Sequence, residues 1–192
     1  MADSMRDLLY AKQRLEEVAG MLGPDFGAGV PEEKRVLGVV VEIGLPPSTV
    51  TLAADADAMT LGTGSGIAYM IQEAVMIAGY ANGDARLVWS SGGAVVGDLY
   101  QFKEIADAAR DLCSLTQPLL EHLQTQSSVP PLPDTDIVQV TALTAQSLYS
   151  TQVPGPEIIG PTHPLDTIYV TARKLYEEIQ ALNEGTEQQK EQ

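Results

Sequence analysis

At 192 residues and 44% hydrophobic content, the chain is long enough to bury a substantial core and too apolar to be disordered throughout. Its net charge of -15 sets up a field that repels phosphates, which argues against nucleic acid and anionic membrane as partners and suits a protein with a basic surface. The single cysteine, Cys113, excludes an intrachain disulfide and fits a reducing compartment.

In the N-terminal segment, Leu8, Ala11, Leu15, Val18 and Leu22 alternate at helical spacings, with Arg6, Lys12, Arg14, Glu16 and Glu17 on the other faces. This predicts one amphipathic helix over residues 1–22. The segment lacks the apolar core of a signal peptide, and no apolar run reaches the length of a membrane span, so a cytoplasmic location is expected. Glycines and Pro24 then forbid continuation, making 23–31 a linker or long loop. "RVLGVVVEIGL" and "STVTLAADA" flank Pro46-Pro47 and read as two strands joined by a short turn, the Val39–Val41 run being buried on both sides as in a central strand.

After the glycine-rich turn "GTGSG", the segment "GIAYMIQEAVMIAGYA" places Ile67, Met70, Ile71, Ala74, Val75 and Ala78 at helical spacing. It predicts a deeply buried helix that "ANGD" ends. "ARLVWSS" is another strand, followed by a second glycine corner, "SSGGAVVGD". The long run that follows buries Phe102, Ile105, Ala109, Leu112, Cys113, Leu119 and Leu123, and Pro118 should kink or divide it, because an interior proline loses a hydrogen bond and clashes with the preceding turn. "SSVPPLPD" is an extended connection; its "VPPLP" core also has the form of a polyproline II ligand. "DIVQVTALT" and "QSLYSTQV" alternate as a β-hairpin, and "PGPEIIGPTHP" is a loop. The last helix, 164–184, carries Leu165, Ile168, Ala172, Leu175, Ile179 and Leu182 in an unbroken stripe, and 185–192 form a polar tail that should fray.

The expected fold is one α/β domain over 1–184, a mainly antiparallel or mixed sheet packed against helices in the order αββαβαββα, with a layered architecture similar to roadblock or profilin domains. "DAMTLGTGSGIAY" also aligns weakly with "DARLVWSSGGAVV", each copy leaving a strand through a glycine turn.

The turn Gly62, Thr63, Gly64, Ser65, Gly66 can expose backbone N–H groups to an anion. These five positions resemble part of the signature loop of the tubulin and bacterial cell-division GTPase family, and the resemblance implies contact with nucleotide phosphates. The two glycines expected before them are Thr60 and Leu61 here, and no Walker-type lysine follows. Asp55 and Asp57 would repel a bare phosphate, so a site here needs a divalent metal held by those carboxylates. The preferred reading of the turn is a corner that needs glycine's backbone freedom. The second corner, with the terminal His163-Pro164-Leu165 leading into the last helix, resembles a type of small acidic bacterial α/β protein; this implies one domain ending in that helix and carries no function.

No catalytic set emerges. "TGSGI" is not a nucleophile elbow, His122 and His163 have no local companions, and Cys113 lies on the apolar face of its helix as a buried thiol would. No cofactor motif is present. The sequence therefore points to a non-enzymatic protein–protein interaction module, an adaptor, immunity-type or regulatory subunit. It would act through its acidic surface and terminal helices, with Leu8, Leu15, Leu22, Ile168, Leu175 and Ile179 as partner or homodimer contacts. The alternative is a nucleotide- or phosphate-binding enzyme built on the Gly62–Gly66 turn.

Overall fold

The computed structural model describes residues 2–52 and 67–190. Among them, helices α1 (Ala2–Leu9) and α2 (Lys12–Met21) precede β1 (Gly38–Leu52), β2 (Ile67–Tyr80), β3 (Ala85–Trp89) and β4 (Gly93–Val95). Then come α3 (Lys103–Thr116), β5 (Gln124–Gln126), β6 (Ile137–Leu143), β7 (Leu148–Pro154), the short α4 (Gly155–Ile158) and α5 (Asp166–Lys190). The strands form one antiparallel sheet in the order β4-β3-β2-β1-β6-β7-β5. The α/β class with an antiparallel sheet is as expected; the short β4, β5 and α4 are additional to the order αββαβαββα, and three of its expected elements are corrected.

The first is β2, predicted as a helix. This strand lies between β1 and β3, and Ala74 to Tyr80 are buried throughout. A strand buried on both sides has no polar alternate positions, so its run of Ala, Met, Ile and Val imitates a wide helical stripe. "ANGD" is the hairpin turn to β3 rather than a helix end: Gly83 adopts φ 92°, and its N–H donates to the Tyr80 carbonyl at 2.9 Å.

The second is Pro46-Pro47, which does not end β1. The strand continues past it through a one-residue register shift between Leu45 and Ser48, opposite β2. Pairing with β6 stops at Ile43, so the prolines lie where that side has no ladder to interrupt. The third is the N-terminal helix, which breaks at Tyr10–Ala11 into two. Pro118 does divide the long helical run: α3 stops at Thr116 and a 3-10 turn takes over from Gln117 to His122.

The sheet has two covered faces. On one, α3 and α5 pack side by side over β2 and β1. Gly79 lies so close beneath α3 that a Cβ there would come 3.1 Å from the Ala109 Cα. The register puts Val39, Val41, Ile77, Val140 and Ala142 on this face. The other face carries Val40, Glu42, Tyr80, Gln139 and Thr141, and α1 and the segment 130–136 lie across it. Gly44 permits that crossing, because a Cβ there would run into the Asp134 carbonyl. One hydrophobic cluster links the elements from Leu9 to Ile179.

Candidate functional site

Glu42 lies in the middle of β1, between Val41 and Ile43, and is fully buried. A carboxylate taken out of water needs charge and hydrogen-bond partners, and α1 supplies them. Arg6 donates from Nε to Oε2 at 3.1 Å and from Nη2 to Oε1 at 3.0 Å, and its side chain is 11% exposed. The same Nη2 also reaches the Pro130 carbonyl at 2.5 Å, so one guanidinium joins α1, β1 and the crossing segment. Tyr10 donates its hydroxyl to Glu42, and the Arg6 guanidinium lies 5.4 Å from the Tyr10 ring centre.

Burial pushes the Glu42 carboxyl above its ordinary range, against the opposing pull of Arg6, Tyr10 and Gln139. Burial, followed by the neighbouring Glu42 charge, likewise holds the Tyr10 phenol well above its usual value.

Gln139 lies opposite Glu42 on β6 and continues the network outward. Its amide donates to the Pro131 carbonyl at 3.2 Å, and its oxygen accepts from Gln152 Nε2 at 2.6 Å. With every side of Gln139 held, its amide is fixed in one orientation. Beside it opens a groove of about 360 Å³. β5 contributes Gln124 and Gln126, β7 contributes Ser150, Thr151 and Gln152, and Pro130-Pro131 form a wall. All eight lining residues, Gln139 included, are uncharged. Amides and hydroxyls that both donate and accept suit a neutral ligand of the same character.

A second polar cluster lies under α2. Asp84 is buried and paired with Arg14, with Arg86 Nη2 4.0 Å away. Arg14 also lies 5.1 Å from the Tyr80 ring centre, and burial pushes that phenol up to about 12. Arg14 and Arg86 line a cleft of about 230 Å³ together with Leu8 and Glu17, two guanidiniums against one carboxylate, with the buried Asp84 paired to Arg14.

The two histidines, unrelated in sequence, line one cavity of about 200 Å³ at the start of α5. His163 Nδ1 accepts the Leu165 N–H at 3.1 Å, a local turn contact. Cys113 is buried, its Sγ 3.5 Å from the Gly79 carbonyl, and desolvation pushes its thiol far up, which leaves it unreactive. Among the described residues, no group of three or more His, Cys, Asp or Glu is placed to hold a metal.

The phosphate-site residues Gly62, Thr63, Gly64, Ser65 and Gly66 and the metal-site residues Asp55 and Asp57 lie outside the described residues. The partner seam is corrected by burial. Ile168 at 1%, Leu175 at 0% and Ile179 at 0% exposure face the chain's own core, as does Leu15, while Leu22 is partly buried against it. Such a stripe on a 25-residue helix packs here against α3 and the sheet, which withdraws it as a surface for a partner. Leu8 alone of the six is exposed, at 53%.

Sequence reading passed over Arg6, Tyr10, Gln139 and Gln152. The available signal was the lone glutamate in "VVVEIGL", since a charge inside a strand buried on both faces requires a partner from elsewhere. No helix among the described residues is long and apolar enough to cross a membrane. No family model, curated protein or solved structure matches this chain.

Proposed function

We propose that the chain is a single-domain, non-enzymatic protein–protein interaction module of the adaptor, immunity or regulatory-subunit kind, which holds an extended, uncharged segment of its partner in the groove beside β5. The observation that carries this reading is the charge-free groove in a chain of net charge -15, with Gln139 fixed behind it by Gln152 and Pro131. An extended main chain presents alternating N–H and C=O groups, which glutamine amides match without charge. β5 is also the edge of the sheet, so its outer side is open to a further extended strand. The acidic remainder of the molecule steers toward a partner whose surface around that segment is basic.

A peptide library displayed on phage tests this. Selection on the native protein should enrich uncharged segments whose binding shifts the NMR amide signals of Gln124, Gln126 and Gln152. The variant Gln124→Glu with Gln126→Glu, at exposed and half-exposed positions, should lose them while its fold persists. Enrichment of charged peptides, or shifts elsewhere, rejects the groove. Saturable stabilisation by magnesium nucleotides that vanishes in Gly64→Val would reject the non-enzymatic reading and favour the glycine-turn enzyme.

A further inference from the structure

Among the described residues, three buried side-chain nitrogens and oxygens make no hydrogen bond: Arg14 Nε, Asp84 Oδ1 and Arg86 Nε. All three belong to the cluster under α2, beside the cleft that Arg14 and Arg86 line. A buried polar atom left unpaired is costly, so three in one place mark a site built for something besides packing. The shortage is greatest at Arg86. Arg6, Arg14, Arg110 and Arg173 each have a carboxylate within 3.6 Å. Arg86 has only Asp84, 4.0 Å away and already held by Arg14. It lies opposite Ala78 on the α1 face of the sheet, and its side chain is 21% exposed, so a ligand in the cleft can reach it.

We infer that this cleft binds a small monocarboxylate with a short apolar branch, its carboxylate on Arg86 and its branch against Leu8 and Ala11. Charge selects the head. Two guanidiniums and the buried Asp84 leave one net positive charge in the cluster, which suits a carboxylate and falls short of a phosphate dianion in a chain of net charge -15. Glu17 on the lining is 53% exposed, so water screens its charge. The planar guanidinium also presents N–H groups in the fork that a carboxylate matches. Leu8 and Ala11 select the tail. Leu8 is 53% exposed, and an apolar branch laid against it removes that surface from water. A cleft of about 230 Å³ takes an acid of a few carbons and excludes a nucleotide. The cleft belongs to α1, α2 and β3, far along the strand order from β5, so neither proposal depends on the other.

NMR titration of the full chain at constant ionic strength tests it, with isovalerate, acetate, isovaleramide and inorganic phosphate as probes. Isovalerate should shift the Arg86 Nε–H and Leu8 methyl signals saturably and bind about tenfold more tightly than acetate, which lacks the branch. Isovaleramide, its uncharged counterpart, and phosphate should not saturate. The same head and tail occur at a C-terminal leucine, so N-acetyl-glycyl-leucine is titrated beside isovalerate: the tighter of the two tells a chain end from a free acid. Arg86→Gln should weaken isovalerate about tenfold or more, and Arg14 still pairs Asp84 in that variant, so its fold persists. Glu17→Gln, at an exposed position, should tighten isovalerate about twofold by removing a competing carboxylate, which gives a second reading independent of Arg86→Gln. No saturation by isovalerate in the decimolar range, equal binding of isovaleramide, tighter binding of phosphate at Arg86, or undiminished binding to folded Arg86→Gln would each overturn the inference.

Discussion

Beneath α3 and α5 the sheet presents Val39, Val41, Ile77, Val140 and Ala142 to Leu112, Ile168 and Leu175. Beneath α1 the same strands present Glu42, Gln139 and Thr141 to Arg6, Tyr10 and the carbonyls of Pro130 and Pro131. Both faces are buried, but by different physics. Apolar burial stabilises in proportion to area and tolerates small shifts of the covering helix. The Arg6–Glu42–Gln139 network is directional, and each member is expensive to leave unpaired. The difference teaches that α3 and α5 hold the fold together, whereas the polar face fixes where α1 and the 130–136 segment sit. Because Pro130 and Pro131 wall the groove, that placement is also what gives the groove its shape.

The largest effect should come from the apolar face. Leu175→Ala should cost about 2–5 kcal/mol, as for other buried leucines. Leu175→Asp should cost more, because an unpaired carboxylate replaces a side chain with 0% exposure. Urea denaturation should show Leu175→Asp largely unfolded in water. A folded, stable Leu175→Asp would mean that the α5 stripe is not core after all.

Next comes the polar face. Arg6→Met should cost about 3–5 kcal/mol, since it strands a buried Glu42 without its guanidinium. Adding Glu42→Leu to Arg6→Met should restore most of the lost stability, as the carboxylate that needed the partner is gone. If the double variant is no more stable than Arg6→Met alone, the network contributes through packing rather than charge. The restored variant should nevertheless hold the 130–136 segment less firmly, because the bond from Arg6 to the Pro130 carbonyl is missing. Faster exchange in that segment is the measurement that separates stability from placement.

The two faces were unequally legible in the sequence. α5 and α3, with its break at Pro118, each have one wet and one dry side, so their period survives in the hydrophobic pattern, and β6 stays legible because polar Gln139 and Thr141 alternate with Val138, Val140 and Ala142 although both its faces are buried. β2 has two dry sides and loses its period, which is why a strand imitated a helix until Asn82-Gly83 is given its weight as a hairpin turn. The polar face was largely illegible. Arg6 and Glu42 lie 36 residues apart, and Arg6 on its own helix looks like any solvated charge. Gln139 and Gln152 look like the polar positions of a strand, and only the fold shows that Gln139 is fully buried. Long-range pairing of this kind leaves no local period to read.

The smallest effect is a pH dependence confined to the polar face. Burial raises the Glu42 carboxyl above the ordinary value of 4.5, so between 4.5 and that raised value the folded chain keeps a proton that the unfolded chain has released. Stability rises with pH only where the unfolded state binds more protons, and here the folded state binds more. The contribution of Glu42 is therefore fully present below 4.5 and is lost as pH rises through the folded value. Glu42→Gln keeps the shape and cannot titrate. As pH falls from neutral toward 4.5, the native chain should gain stability relative to Glu42→Gln, read as a widening difference in urea midpoints. Asp107, whose carboxyl is lowered by its hydrogen bond to Lys103 on the surface of α3, titrates identically in both proteins and cancels from the difference. Tyr10 keeps its proton throughout this range and drops out as well. If the native chain instead loses ground to Glu42→Gln on acidification, the Arg6 guanidinium outweighs burial at Glu42. The polar face would then be stabilised by its ion pair, with the sign of its pH response reversed.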